Sequence, residues 1–135
     1  MQRILVIDDE MLVREALHRV LTSTTVSVIA AADAGEGLAM LRASPVELVI
    51  IDVVLPGMDG VAAIKEIRRH YPALPIIAIS GGGDFGLSGY RPESISTIAY
   101  LAACTAAGAN GVLAKPFETA ELRALIAQVL APERA

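Results

Sequence analysis

A chain of 135 residues has room for one domain with a real core and hardly for two. Its net charge of -4, with 11 basic residues scattered and no run longer than Arg68-Arg69, argues against nucleic acid as a partner. The lone Cys104 excludes an internal disulfide and a cysteine zinc site. A composition 54% hydrophobic but only 4% aromatic calls for a core of Ala, Val, Leu and Ile, which suits helices on a parallel sheet.

Residues 3–7 are apolar without alternation, as in a strand buried on both faces. From Met11 to Leu21 the period becomes helical. Val13, Ala16, Leu17, Val20 and Leu21 share the inward face; Arg14, Glu15, His18 and Arg19 lie opposite, in solvent. Val26 to Ala31 is a second strand, and Ser27 fits an edge position. Asp33 and Glu36 have the spacing of a capping box for a helix that Pro45 stops after Ala43. Gly35 and Gly37 make it the weakest expected helix, since glycine costs about 1 kcal/mol there against alanine. Residues 46–51 form a third strand that ends at Asp52. Asp59 caps a helix with Val61, Ile64 and Ile67 inward, Lys65, Glu66, Arg68 and Arg69 solvated, and His70 at its end.

Residues 75–79 are the fourth strand, ending at Ser80. The glycine-rich stretch Gly81 to Pro92 reads as a long mobile loop, about 81–94 in all. A helix from Ser94 to Ala107 follows, with Ile95, Ile98, Leu101, Ala102 and Thr105 inward and Gly108 at its C′ position. Its other face, Ala99, Tyr100, Ala103 and Ala106, is apolar too, which points to a protein interface such as a homodimer through this fourth-helix region. Cys104 belongs to its packing. Gly111 to Ala114 is a fifth strand, ending at Lys115-Pro116. The last helix, Glu118 to Ala131, turns Leu122, Leu125, Ile126 and Val129 inward.

Strands alternating with helices imply an α/β doubly wound parallel sheet in one domain, residues 1–135 with a core of about 2–131. Ligands of such sheets bind beyond the carboxyl ends of the strands. Asp8 and Asp9, Asp52, Ser80 and Lys115 each stand just past a strand and so belong at one rim. Aspartates without His or Cys favour a hard cation, most simply Mg²⁺. The lysine is a point charge suited to phosphoryl oxygens, the serine can donate to another, and the central carboxylate can act as a nucleophile forming an aspartyl phosphate.

The pieces Ile7-Asp8-Asp9-Glu10, Ile51-Asp52 with Leu55-Pro56-Gly57-Met58-Asp59-Gly60, Ser80 after an apolar strand, and Ala107-Gly108-Ala109 before Leu113-Ala114-Lys115-Pro116-Phe117 resemble the receiver domains of two-component response regulators, of the single-domain, chemotaxis-regulator-like kind. The resemblance covers essentially the whole chain. It implies a flavodoxin-like fold with five strands in the order 2-1-3-4-5 and five helices. It implies phosphorelay signalling, in which Asp52 accepts phosphate from a histidine kinase or phosphotransfer protein and partner binding changes. It also implies Mg²⁺ on Asp9, Asp52 and the backbone carbonyl of Val54, with Asp8 helping directly or through water. Lys115 would contact the phosphoryl group, with a cis peptide to Pro116, and Ser80 would move to bond it. Such a module is not a turnover enzyme; it catalyses only its own phosphorylation and dephosphorylation.

Two positions depart from the family pattern. Val112 stands where members usually carry the Tyr or Phe of the activation switch, and the 81–94 loop is longer than usual. Ordering of that loop, with Phe85 or Tyr90 filling the aromatic's place, is the expectation set against a simple insertion. Neither Val54 nor Gly82 offers a polar group to orient water, so the aspartyl phosphate is expected not to hydrolyse itself quickly. The alternatives are a phosphorylation-independent adaptor on the same fold and, more remotely, a phosphohydrolase of the haloacid dehalogenase type. The latter needs an acid where Val54 stands and a cap domain. A flavin module is disfavoured because the acids after strand one would repel the FMN phosphate. Charges at Arg3 and at Asp8 to Glu10 leave no secretory leader, and no stretch approaches the ~20 apolar residues of a membrane span, so the expected location is cytoplasmic. The chain stops soon after its last helix, so output is expected through a downstream protein, or through a domain outside this sequence, and not through direct DNA binding by these residues.

Overall fold

A computed structural model describes residues 2–55, 59–80 and 94–131, and for 94–98 and Tyr100 the backbone only. The expectations placed on the 81–94 loop, on Gly82, Phe85 and Tyr90, and on Pro56 to Met58 lie outside the described residues or side chains. Ten elements alternate: β1 (Gln2–Ile7), α1 (Met11–Leu21), β2 (Val26–Ala31), α2 (Ala34–Ala43), β3 (Leu48–Asp52), α3 (Gly60–His70), β4 (Ile76–Ser80), α4 (Ser94–Ala107), β5 (Gly111–Ala114) and α5 (Thr119–Leu130). All strand pairs are parallel, and the order is β2-β1-β3-β4-β5.

Every residue of β3 and β4 is buried, which is why these strands read as unbroken aliphatic runs. Successive side chains alternate between two cores. Leu5, Ile7, Val49, Ile51, Ile76 and Ala78 meet Leu41 of α2, Ile64 and Ile67 of α3 and Cys104 of α4. Ile4, Val6, Leu48, Ile50, Ile77 and Ile79 meet Leu17 and Leu21 of α1 and Leu122 of α5. Each fully buried Leu or Ile contributes roughly 1.5–3 kcal/mol relative to exposure, so both faces are strongly held.

Three helix faces differ from expectation. Ala16 of α1 is exposed; Leu17 and Leu21 alone are fully buried there. In α4, Ala102 and Thr105 are exposed, and among its described side chains Cys104 is the fully buried one. A helix apolar on all sides gives no periodicity to read, so the sheet chose the face. In α3, Arg68 is not solvated. Its guanidinium donates to the carbonyls of Tyr71 (2.9 Å), Pro72 (2.9 Å) and Gly108 (2.8 Å) and to Asn110 Oδ1 (2.9 Å). Asn110 Oδ1 also accepts from the Ile76 N–H at 2.9 Å, so this cluster ties the ends of α3 and α4 to the start of β4. Gly108 makes the turn possible: φ is +125°, and the Ala109 N–H reaches Cys104 O while the Gly108 N–H reaches Thr105 O. Arg68→Ala should cost roughly 2 kcal/mol, the scale of a few charge-assisted bonds partly replaced by water. Urea unfolding of the variant will measure this, and a loss within error of zero would show that Arg68 only decorates the surface.

The Asp33 carboxylate caps α2 through the Glu36 N–H at 2.8 Å, as expected, but Glu36 reaches past the cap to the Ala32 N–H at 2.8 Å. The two glycines of α2 differ in kind. Gly37 is buried, and a side chain there would run into Ile7. Gly35 is exposed, and a methyl group would meet only Asp33 Oδ1 at an ordinary 3.5 Å. Gly35→Ala should therefore stabilise the protein by about 0.5–1 kcal/mol, read as a higher urea midpoint at unchanged slope; a lower midpoint would contradict it.

Candidate functional site

The strand register assembles the rim. Ile7 pairs with Ile51, so Asp8 follows beside Asp52. Asp52 pairs with Ile79, and Ser80 pairs with Ala114, which places Ser80 and then Lys115 on the same edge. Strand order reverses between β1 and β3, where such sheets open their crevice. Three polar or charged residues are fully buried among those described: Asp8 (2% exposed), Asp52 (5%) and Ser80 (3%). All three are on this rim.

Each buried carboxylate is turned by a local backbone bond. Asp8 Oδ1 accepts from the Glu10 N–H and Asp52 Oδ1 from the Val54 N–H, both at 2.9 Å. Their other oxygens share one cation: Lys115 Nζ lies 3.4 Å from Asp8 Oδ2 and 3.3 Å from Asp52 Oδ2, with Glu10 Oε1 at 3.7 Å. These are long contacts for N–H···O bonds, so the ammonium acts as a point charge between the acids. Burial pushes the Asp8 carboxyl up to about 6; the Glu10 N–H opposes this and the Asp52 charge adds to it. Burial alone would lower the Lys115 ammonium, yet the charges of Asp52 and Asp8 hold it above its usual value.

Asp9 is exposed, and oxygens of Asp8, Asp9 and Asp52 lie within 4.8 Å of one another. All are hard oxygen donors with no His or Cys among them, and one lysine does not neutralise three acids. The donor set fits a hard divalent cation such as Mg²⁺. Ser80 brings a buried hydroxyl, able to donate a hydrogen bond, to the same rim. The Val54 side chain is exposed (46%), Val112 is half-buried against the core of the α3–α4 face, and the Lys115-Pro116 peptide is cis.

Two supports escaped the sequence reading. Gly60 donates to Val53 O at 2.7 Å, and the helix start lies so close to the strand end that a β-carbon on Gly60 would strike the Val53 backbone and sit 2.7 Å from Asp52 O. Arg14, placed in solvent by its helical position, is half-buried and donates from Nη1 to Asp8 O at 2.9 Å. Sequence offers one hint for Arg14: helical side chains lean toward the N-terminus, over the turn before them.

A family model described as the response regulator receiver domain matches residues 4–87. The chain belongs to the response regulator receiver domain family. This receiver domain is 33% identical over 128 residues to the response regulator MprA of Mycolicibacterium vanbaalenii, covering 95% of this chain and 50% of that protein. It is 29% identical over 127 residues to the DNA-binding transcriptional regulator NtrC of Salmonella typhimurium, covering 93% of this chain and 24% of that one. The receiver thus spans half or less of these curated relatives. Among solved structures, a putative response regulator from Chloroflexus aurantiacus superposes with a TM-score of 0.82 at 34% identity, covering 97% of this chain and 98% of that one. The receiver domain of NtrX from Brucella abortus gives 0.81 at 29% identity, covering 96% and 99%. The receiver domain is a signalling module of two-component systems.

Proposed function

We propose that Asp52 accepts a phosphoryl group from a histidine kinase or phosphotransfer protein in a Mg²⁺-dependent step, and that the aspartyl phosphate changes the binding of a downstream protein. The observation that carries this reading is the buried pair Asp8 and Asp52 with Lys115 Nζ between them. Asp9, Asp52 and the Val54 carbonyl would hold Mg²⁺, with Asp8 directly or through water; the ion would supply positive charge for the phosphoryl oxygens. A carboxylate oxygen of Asp52 attacks phosphorus, the bond from phosphorus to the donor nitrogen breaks, and the nitrogen keeps the electron pair. The Val54 N–H on Asp52 Oδ1 fixes the direction of the nucleophile. Lys115 leaves the two carboxylates to neutralise a phosphoryl oxygen, and the Ser80 hydroxyl donates to another. No second acid stands at Val54 to activate water, in keeping with a phosphoacceptor and not a turnover enzyme.

The exposed face of α4, with Ala99, Ala102 and Ala106, is a surface for the downstream protein or a second copy. The location we propose for this chain is cytoplasmic; among the described residues no helix is long and apolar enough to cross a membrane. Incubation with Mg²⁺ and acetyl phosphate should add one phosphoryl group to the intact mass, absent in Asp52→Asn and decaying over minutes or longer once the donor is removed. No adduct with either a small donor or a kinase would favour a phosphorylation-independent adaptor.

A further inference from the structure

The Asp9 carboxylate is exposed, and the main chain that leads into it is held from α1. That backbone is the Asp8–Asp9 peptide, whose carbonyl receives the Arg14 guanidinium at 2.9 Å. The other attachments of this turn flank Asp9: the Asp8 N–H donates to Ala31 O at 3.1 Å, the Glu10 N–H donates to the Asp8 side chain at 2.9 Å, and Glu10 O accepts from the Val13 and Arg14 N–H groups at 3.1 Å. Arg14 is the α1 side chain that holds the carbonyl of the peptide leading into Asp9. Its fork is rigid and always charged, and its stem spans the first turn of the helix.

We infer that Arg14 is a positioning residue for the metal centre: it clamps the Asp8–Asp9 peptide so that the Asp9 carboxylate converges with those of Asp8 and Asp52. This rests on the Mg²⁺ reading above. Charge and position predict opposite signs. A cation near three acids repels Mg²⁺, so if Arg14 acted only as a charge, its removal would tighten binding. As a clamp, its removal weakens binding.

Calorimetric titration with Mg²⁺ decides between them. Arg14→Ala should raise the Mg²⁺ Kd about tenfold, the low end of what losing a partner that orients a metal ligand costs. Arg14→Lys, which keeps the charge and one donor, should recover most of that affinity. A second readout needs no metal. In ¹⁵N relaxation of the metal-free protein, well below its melting temperature, the Asp9 amide should become more mobile in Arg14→Ala and return toward wild type in Arg14→Lys. Unchanged or tighter Mg²⁺ binding by Arg14→Ala, or an Asp9 amide as rigid as in wild type, would overturn the clamp while leaving the metal site standing. Failure of the wild type to bind Mg²⁺ would overturn both. If Arg14→Ala does not fold, Arg14→Met, which keeps an apolar stem and no donor, decides instead: a Kd equal to or below that of wild type, with an unaltered Asp9 amide, counts against the clamp.

Discussion

Lys115→Ala is expected to cost the metal-free protein about 3 kcal/mol at pH 7, the low end for removing one partner of a buried ionic group. Asp8 and Asp52 stay buried in the variant, with their facing oxygens left without a counter-charge. The low end applies because Lys115 is 21% exposed and its contacts are long. The pH dependence follows from Asp8, which titrates near 6 in the fold against 3.8 for a free aspartate. Between those values the native state holds a proton that the unfolded chain has lost, so stability falls as pH rises through the window. At pH 5 Asp8 is neutral, one of the two facing charges is gone, and the loss in Lys115→Ala should shrink to about half. Asp8→Asn should stabilise the metal-free wild type at pH 7 by roughly 2 kcal/mol and hardly at all at pH 4. Mg²⁺ should restore much of what Lys115→Ala loses, since a ligand of the native state stabilises by mass action. Urea unfolding at both pH values, in chelator and in Mg²⁺, tests all of this. Equal losses at pH 5 and pH 7 would mean that Asp8 is not the titrating partner.

Gly60→Ala should be nearly as damaging, for a steric reason. Its β-carbon would sit 2.6 Å from Val53 O and 2.7 Å from Asp52 O, with the Val53 backbone closer still. Overpacking against flexible side chains costs about 1–3 kcal/mol, but here the obstacle is main chain at the end of a buried strand. Relief requires α3 to draw away from β3, which breaks the Gly60 N–H bond to Val53 O. A loss of about 3 kcal/mol is expected. The displaced backbone carries Asp52 and Val54, so Mg²⁺ affinity should fall as well. Urea unfolding and Mg²⁺ titration will check both, with Gly35→Ala as the control in which the same substitution meets open space. Wild-type stability in Gly60→Ala would show that α3 slides freely on the sheet.

The sheet and its rim were legible because parallel buried strands are continuous in sequence and β1, β3, β4 and β5 each lead into a charge or hydroxyl. The strand ends, read in order, already brought Asp8, Asp9, Asp52, Ser80 and Lys115 together. The inward face of α4 was not legible, since a helix built from Ala, Cys, Thr and Leu offers every face to the core. The arginines were opaque for another reason. Arg68 bonds to residues 40 and 42 positions away, and no local period encodes that reach. Glu118 and Glu121 went unread because glutamate is a poor cap by type, yet Glu121 accepts from the Glu118 N–H at 2.8 Å and closes the start of α5. Gly60 stood in plain view within a motif, but its function is a distance between two backbones, which composition does not carry.

The ladder does not stop where the strands do. Asp8 donates to Ala31 O, Val53 to Ile79 O and Lys115 to Ser80 O, so the main chain beneath the charged groups still belongs to the sheet. Side chains on this rim are therefore carried on a mount whose own bonds do not pass through them. A carboxylate can become an amide, or a lysine a neutral residue, without any of these three bonds being lost.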